Sequence, residues 1–158
     1  MSAGGEFLVL QRSQAVRDGD WLCRTLYDLW DRYFSDTPRV NIVRIGFGRA
    51  WKNRLGSICL SDDQSTSYIS INSLLRYPEV PDYVPLVTVA HEMVHYAHGF
   101  GSPLPRRYRH PHRGGIVRRE IVRRGMAREY EQYDAWICAH WYDFYHARTR
   151  RLWSAFRG

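Results

Sequence analysis

Four segments of the chain repeat apolar residues at three- and four-residue steps, and this spacing predicts amphipathic helices. Asp18 or Asp20 can cap the first helix, and Pro38 lies beyond its end because proline cannot continue a helix. Gly99 is a natural stop for the second helix. The four predicted helices are residues 20–33, residues 86–98, the run "IVRREIVRR" that ends at Gly125, and about residues 127–151.

Three short runs between the first two helices are β-branched or alternate apolar with polar residues, as strands do. They are "VNIVRIGF" (40–47), "LGSICL" (55–60) and "YISIN" (68–72). We therefore expect a small, mainly antiparallel three-stranded sheet within an α+β fold, after an N-terminal helix and before three further helices. Residues 1–17 show little periodicity, so we expect a flexible leader followed by a single domain at 18–158.

Composition supports a folded, basic domain. The 158 residues are 44% hydrophobic and 15% aromatic, which is enough to build a core. The net charge is +7 and Lys52 is the only lysine, so arginine carries almost all of the positive charge. Arginine suits phosphate and carboxylate contacts because its guanidinium forms bidentate pairs, although a solvated cationic surface accounts for the same composition.

The three cysteines, Cys23, Cys59 and Cys138, lie far apart and form no CxxC pair. This spacing excludes a cysteine-based zinc ribbon within these residues and argues against a disulfide scaffold. No apolar run has the length of a signal-peptide core or a transmembrane helix. We therefore expect a cytoplasmic protein.

The segment "HEMVH" on the second predicted helix carries the strongest chemical signal. His91 and His95 are one helical turn apart, so both imidazoles can face one cation. Glu92 is next to the first histidine but points along a different line, which suits a general base that acts on water beside the metal. The motif therefore predicts a zinc-dependent hydrolase with Glu92 as its base.

A catalytic zinc needs a third protein ligand, and the residues alone leave several candidates open. His98 is on the same helix, but the rise from His91 to His98 makes convergence on one ion difficult. His110 and His112 lie in the following loop and can fold back over the helix. The carboxylate candidates are Glu120, Glu129 and Glu131, of which Glu131, near Asp134 on the last helix, is the best placed.

The order of these parts resembles the SprT-like (Spartan-like) zinc metallopeptidases. The resemblance covers roughly residues 20–126 and is carried by "LWDRYFSDTP", "RLGSICL", "YISINSLL", "VTVAHEMVHYAHG" and "HPHRGGIVRREIVRRGM". It implies a zincin-like fold, cleavage of peptide bonds, zinc bound by His91, His95 and His112, and Glu92 as the catalytic base. Arg113 stands where the family usually has a glycine, and no C-terminal zinc ribbon is present in this sequence.

A basic segment surrounds the third histidine, with nine arginines and one acidic residue between Arg106 and Arg128. The resemblance implies nucleic acid or nucleic-acid-bound protein as a partner of this segment, beside a protein or peptide substrate. We expect the substrate to extend the sheet near "YISIN", and Tyr108, Tyr130 or an arginine of this segment to stabilise the oxyanion. The alternatives are a thermolysin-like hydrolase with Glu131 as ligand and a non-catalytic zinc protein that binds nucleic acid.

Overall fold

The computed structural model describes residues 15–155, without the side chains of residues 151–154. Most of the predicted leader, residues 1–14, lies outside this region. Within it the chain forms four helices and one three-stranded sheet, so the predicted α+β class is confirmed. The elements are α1 (Gly19–Tyr33), β1 (Ile42–Phe47), β2 (Gly56–Leu60), β3 (Thr66–Ile71), α2 (Tyr83–Ala97), α3 (Ile116–Arg123) and α4 (Ala127–Ala155).

The first helix forms as its sequence pattern predicts. The side chain of Asp18 caps α1 by accepting a hydrogen bond from the backbone N–H of Trp21 at 2.9 Å. The apolar stripe of α1, including Leu22, Leu26 and Leu29, is buried against the rest of the molecule. Full burial of each leucine contributes roughly 1.5–3 kcal/mol, so this stripe fixes α1 on the core.

The sheet differs from the prediction in its topology. Its strand order is β1-β3-β2, with β1 parallel to β3 and β2 antiparallel to β3. The expected mainly antiparallel sheet is therefore wrong, because one of its two pairings is parallel and the sheet is mixed. Strand β3, which contains most of "YISIN", is hydrogen-bonded on both sides, and β2 forms an edge of the sheet.

The helix that carries "HEMVH" lies at the centre of the molecule. Nearly every residue of α2 is buried, because the sheet, α1, α3 and α4 all pack against it. A single apolar stripe was predicted, but α2 is enclosed on several faces. Polar residues on this helix are consequently held away from bulk water, and Glu92 is only 4% exposed.

Arg17 ties the start of the described region to the connection before α2. Its guanidinium donates to the carbonyl oxygens of Leu75 and Tyr77 at 2.9 and 3.0 Å, and to Asp82 Oδ1. The residue is buried, although it was predicted to lie at the end of the flexible leader. These contacts fix the approach of the chain to α2.

The long helix α4 packs across α2 and reaches the connection before β2. Trp141 is buried, and its indole N–H donates to the carbonyl oxygen of Lys52 at 2.8 Å. Tyr142 Oη lies 3.3 Å from Asn53 Oδ1. These bonds hold residues 51–55 against α4 and leave a cleft between α4, α2 and β2. No helix in the described region has the length and apolarity to cross a membrane.

Candidate metal centre

Helix α2 presents both histidines of the motif on one face. His91 and His95 are one turn apart, and their ring centroids are separated by 4.7 Å. His91 is half-buried and His95 is buried at the floor of the cleft. The local sequence therefore places two imidazoles side by side, as the spacing predicts.

The third imidazole comes from the loop between α2 and α3. His112 Nε2 lies 2.9 Å from His95 Nε2 and 3.4 Å from His91 Nε2. One ligand nitrogen from each of the three residues lies within 4.8 Å of the others, and among the described residues this is the group that could hold a metal ion. The structure thus brings His112 to the pair and leaves the identity of the metal open.

The donor set suits a cation. Burial and the neighbouring imidazoles lower the pKa of His95 to about 3, and burial, followed by His112, lowers that of His91 to about 4. Both rings are therefore neutral at pH 7 and offer lone pairs. Three ring nitrogens directed at one another form few good hydrogen bonds, because each neutral ring has one N–H. A metal ion satisfies all three lone pairs at once.

A well-anchored turn brings the loop back toward α2. At the end of α2, the N–H of Gly99 bonds to the Tyr96 carbonyl at 3.1 Å and the N–H of Phe100 bonds to the His95 carbonyl at 2.9 Å. This is a Schellman motif, and Gly99 adopts the left-handed conformation it requires, with φ at 78°. Ser102 Oγ adds a bond to the Tyr96 carbonyl at 2.7 Å. The turn directs the following residues, and with them His112, over the histidine pair.

Glu92 lies on α2 beside the histidines and inside the same cleft. Burial raises its pKa to about 8, and the charge of Arg54 opposes this rise. Gly56 at the start of β2 makes room for the carboxyl group, since a Cβ there would lie 2.7 Å from Glu92 Oε1 and 3.0 Å from Thr88 Cγ2. The absence of a side chain at Gly56 is therefore a condition for the position of Glu92.

The cleft around these groups has a volume of about 600 Å³. Its walls come from β2 and the preceding residues, from α2, from the loop after α2, and from α4. Besides the three histidines and Glu92, the residues that line it include Arg54, Ser57, Phe100, Tyr133, Ile137 and Trp141. The cleft therefore joins the candidate metal centre to a free edge of the sheet.

Tyr133 is a site residue that the sequence did not identify as such. It lies in the apolar stripe of α4, where the sequence pattern assigns it to packing, but it lines the cleft and is half-buried there. Burial is the main cause that raises the pKa of Tyr133 well above its usual range, so its hydroxyl stays protonated. Tyr108 and Tyr130, which were expected near the oxyanion, line a different cavity.

The other predicted ligands lie elsewhere. His98 is buried and its ring contacts Tyr108, with 4.9 Å between ring centroids. His110 is exposed and does not belong to the histidine group. Glu131 and Glu120 line the second cavity, so the thermolysin-like alternative with Glu131 as ligand has no geometric support.

That second cavity, of about 850 Å³, lies between the loop, α3 and the start of α4. It is lined by four arginines of the basic segment: Arg107, Arg118, Arg119 and Arg123. One of these charges is compensated, because Glu120 pairs with Arg123 at 2.6 Å; Glu120 also pairs with the neighbouring Arg124 at 2.9 Å. Arg118 lies over the ring of Tyr130, 5.4 Å from its centroid. We name this the arginine cavity.

Comparisons with known proteins add no assignment. A scan against protein-family models, a search of curated proteins and a search of solved structures each find no match to this chain. The interpretation of the site therefore depends on its own geometry and chemistry.

Proposed function

We propose that the protein is a zinc-dependent metallopeptidase of the SprT-like type, with a zincin-like fold. One observation carries this proposal: His91, His95 and His112 converge beside the buried carboxyl of Glu92, in a cleft that opens on a sheet edge. A histidine cluster with a structural role alone would not require an adjacent carboxyl group held in the same cleft. The combination is typical of a metal-dependent hydrolase.

His91, His95 and His112 would hold the zinc ion, since three neutral imidazoles are a common ligand set for catalytic zinc. Zinc, when bound, supplies Lewis acidity, which lowers the pKa of water and polarises a peptide carbonyl. The protein contributes the positions of the three rings: two project from α2, and the third comes from the loop between α2 and α3.

Glu92 would accept the proton of the attacking water and deliver it to the leaving amine. Its carboxyl group lies within the same cleft as the histidines, and burial raises its pKa to about 8 in the metal-free protein. A cation among the histidines would favour the ionised form, because an opposite charge nearby lowers the pKa of a carboxyl group. Proton transfer by such a group contributes roughly 100- to 10,000-fold to the rate.

The substrate would bind in extended form along β2. The expected position near "YISIN" needs correction, because β3 already has a hydrogen-bonded neighbour on each side. Strand β2 is an edge strand, and Gly56, Ser57 and Ile58 line the cleft. Backbone hydrogen bonds to an edge strand bind peptides of many sequences, which suits a peptidase.

The test compares zinc-loaded wild-type protein with Glu92→Gln and Glu131→Gln. We expect wild type to cleave casein, Glu92→Gln to lose at least about 100-fold in rate at unchanged zinc content, and Glu131→Gln to retain both. Wild-type protein that holds one zinc but cleaves neither casein nor nucleic-acid-bound proteins would contradict the proposal and favour the non-catalytic alternative. Loss of zinc in Glu131→Gln would favour the thermolysin-like alternative.

A second candidate function, contact with nucleic acid, is favoured by the arginine cavity. Four arginines and the rings of Tyr108 and Tyr130 line one concave surface, and guanidinium groups beside aromatic rings suit phosphates and stacked bases. A gel-shift titration with single- and double-stranded DNA should show binding that weakens steeply as salt rises. Absence of binding at about 50 mM salt would exclude this partner.

A further inference from the structure

One end of the metal cleft is closed by contacts between α4 and the residues before β2. The Trp141 indole bonds to the Lys52 carbonyl at 2.8 Å, and Tyr142 Oη lies 3.3 Å from Asn53 Oδ1. Asn72 Nδ2 donates to the Trp51 carbonyl at 2.7 Å from the opposite side. Residues 51–54 are therefore held in place, and Lys52, Asn53 and Arg54 all line the cleft.

This closed end is positively charged. Lys52 and Arg54 are exposed, and neither forms an ion pair with another side chain in the described part of the chain. Glu92 is the one acidic residue among those that line the cleft, and its carboxyl group is buried. Arg54 is close enough to Glu92 for its charge to oppose the effect of burial on the pKa of that carboxyl. Two cations thus line the cleft, and no acidic side chain of the described residues pairs with them.

The distance from Glu92 to the closed end of the cleft is short enough for a few residues of an extended peptide to cover it. Tyr133, which lines the cleft with Glu92, and Trp141, which bonds to Lys52, are both on α4. The step of eight residues from Tyr133 to Trp141 is a rise of about 12 Å along α4. An extended peptide covers that distance in about four residues. A peptide that lies along β2 therefore passes Arg54 and Lys52 within about four residues of the bond beside Glu92.

We propose that Lys52 and Arg54 bind a carboxylate of the peptide substrate and so select acidic substrates. This inference rests on the proposed peptidase function. The carboxylate belongs to an aspartate or glutamate side chain, or to the C-terminus of the peptide, since both present the same group to a guanidinium. Ile137, which is half-buried on the facing wall, offers an apolar surface to neighbouring side chains of the substrate.

The first experiment measures kcat/KM on peptides that carry Glu, Gln or Lys at each of the four positions on either side of the cleaved bond. Each peptide is made with a free and with an amidated C-terminus. We expect roughly tenfold faster cleavage for glutamate than for glutamine at one position, and slower cleavage still for lysine. A preference for glutamate that is the same with free and amidated C-termini shows that the bound group is the side chain. Faster cleavage of the free-terminus peptides than of the amidated ones, whichever residue they carry, shows that it is the terminal carboxylate.

The matched variants are Lys52→Glu, Arg54→Glu and Arg44→Glu, which change the net charge equally. Arg44 is exposed on β1, and Arg44→Glu should keep the wild-type preference. Either cleft variant should abolish or reverse it. Equal cleavage by wild type of acidic, neutral and basic peptides with free and with amidated C-termini, or an equal change in Arg44→Glu, would overturn the inference while leaving the peptidase function intact.

A binding measurement separates this inference from the proposed function. Fluorescence anisotropy with labelled acidic and neutral peptides on zinc-loaded Glu92→Gln protein requires no catalysis. Preferential binding of the acidic peptide that is lost in the Glu92→Gln, Arg54→Glu double variant would support the carboxylate site even if no peptide is ever cleaved. Equal binding of both peptides would overturn it.

Discussion

Helix α4 forms one wall of the metal cleft and one wall of the arginine cavity, but the carboxyl groups in the two regions have opposite surroundings. In the arginine cavity, Glu120 is paired with Arg123 and Arg124, and the hydrogen bond from Arg123 is the main cause that lowers the pKa of its carboxyl. In the metal cleft, Glu92 has no ion pair in the described region, and burial raises its pKa to about 8. The first arrangement favours the ionised carboxyl, whereas the second favours the protonated one.

This difference between Glu120 and Glu92 distinguishes a charged surface from the candidate reactive site. Ion pairs at the surface neutralise one another and contribute little to stability, so their number says little about function. At pH 7 a buried carboxyl with a raised pKa costs folding free energy, and a bound cation would offset that cost. On the proposed function, the chemistry takes place in the metal cleft, and the arginine cavity is the candidate surface for partner contact.

The largest expected effect comes from the third ligand. Zinc binding by small structural sites is worth about 10–16 kcal/mol in total, so His112→Ala should lose on the order of 4 kcal/mol of zinc affinity. His110→Ala is the matched control, since His110 lies in the same loop, is exposed and is outside the histidine group. Zinc titration against a competing chelator measures both. Equal losses of zinc affinity in His110→Ala and His112→Ala would contradict the assignment of His112 as the third ligand.

A second prediction concerns the metal-free protein and its dependence on pH. Since the folded pKa of Glu92 is raised to about 8 from 4.5, its contribution to stability is fully present below pH 4.5 and is lost as the pH rises to about 8. Glu92→Gln removes this loss of stability at rising pH, because glutamine does not ionise. At pH 7 the substitution should stabilise the metal-free fold by about 3 kcal/mol. Urea unfolding of both proteins from pH 4.5 to 8 measures the difference, which should grow with pH. A difference that is independent of pH would show that burial does not shift this carboxyl.

The contact between β2 and Glu92 gives a third prediction. In Gly56→Val the new side chain meets Glu92 Oε1 and Thr88 Cγ2, so we expect a loss of about 1–3 kcal/mol in unfolding free energy and a lower peptidase rate. Gly46→Val is the control, because Gly46 on β1 has open space where a Cβ would lie. Thermal unfolding and casein cleavage of Gly56→Val and Gly46→Val measure the difference between the two substitutions. Equal effects of the two substitutions would mean that the fit against Glu92 is unimportant.

The smallest effects are expected in the arginine cavity. Arg118→Ala and Arg123→Ala remove exposed guanidinium groups, and each should leave the free energy of unfolding nearly unchanged. Cleavage of a short free peptide and zinc content should remain at wild-type values, whereas DNA affinity should fall. If either substitution lowers the rate on free peptides tenfold, the two regions are not functionally separate.

Local features of the fold follow from the sequence, and pairings between distant segments do not. The start of α1 follows from the cap at Asp18 and its end from the last position of the apolar stripe, because both signals lie within the helix or next to it. The parallel pairing of β1 with β3 has no local signal, since alternation in a strand does not specify its neighbours. This is why the sheet was expected to be mainly antiparallel and the substrate was placed near "YISIN".

In the candidate site too, local features follow from the sequence and contacts between distant segments do not. His91, Glu92 and His95 are recognisable because four-residue spacing on one helix is a local property. His112 was one of several candidates until a resemblance singled it out, and the structure brings it to 2.9 Å from His95. Tyr133 and Gly56 were missed, because a tyrosine in a helix stripe and a glycine at a strand end carry no signal that separates them from packing residues.

The central claim is that three imidazoles from two segments bind one zinc ion. X-ray absorption at the zinc edge, on protein loaded with one equivalent of zinc, measures the ligands directly. We predict three histidine nitrogens at about 2.0–2.1 Å in wild type and two in His112→Ala. A sulfur ligand at about 2.3 Å, or a spectrum that is identical in His112→Ala, would contradict the account.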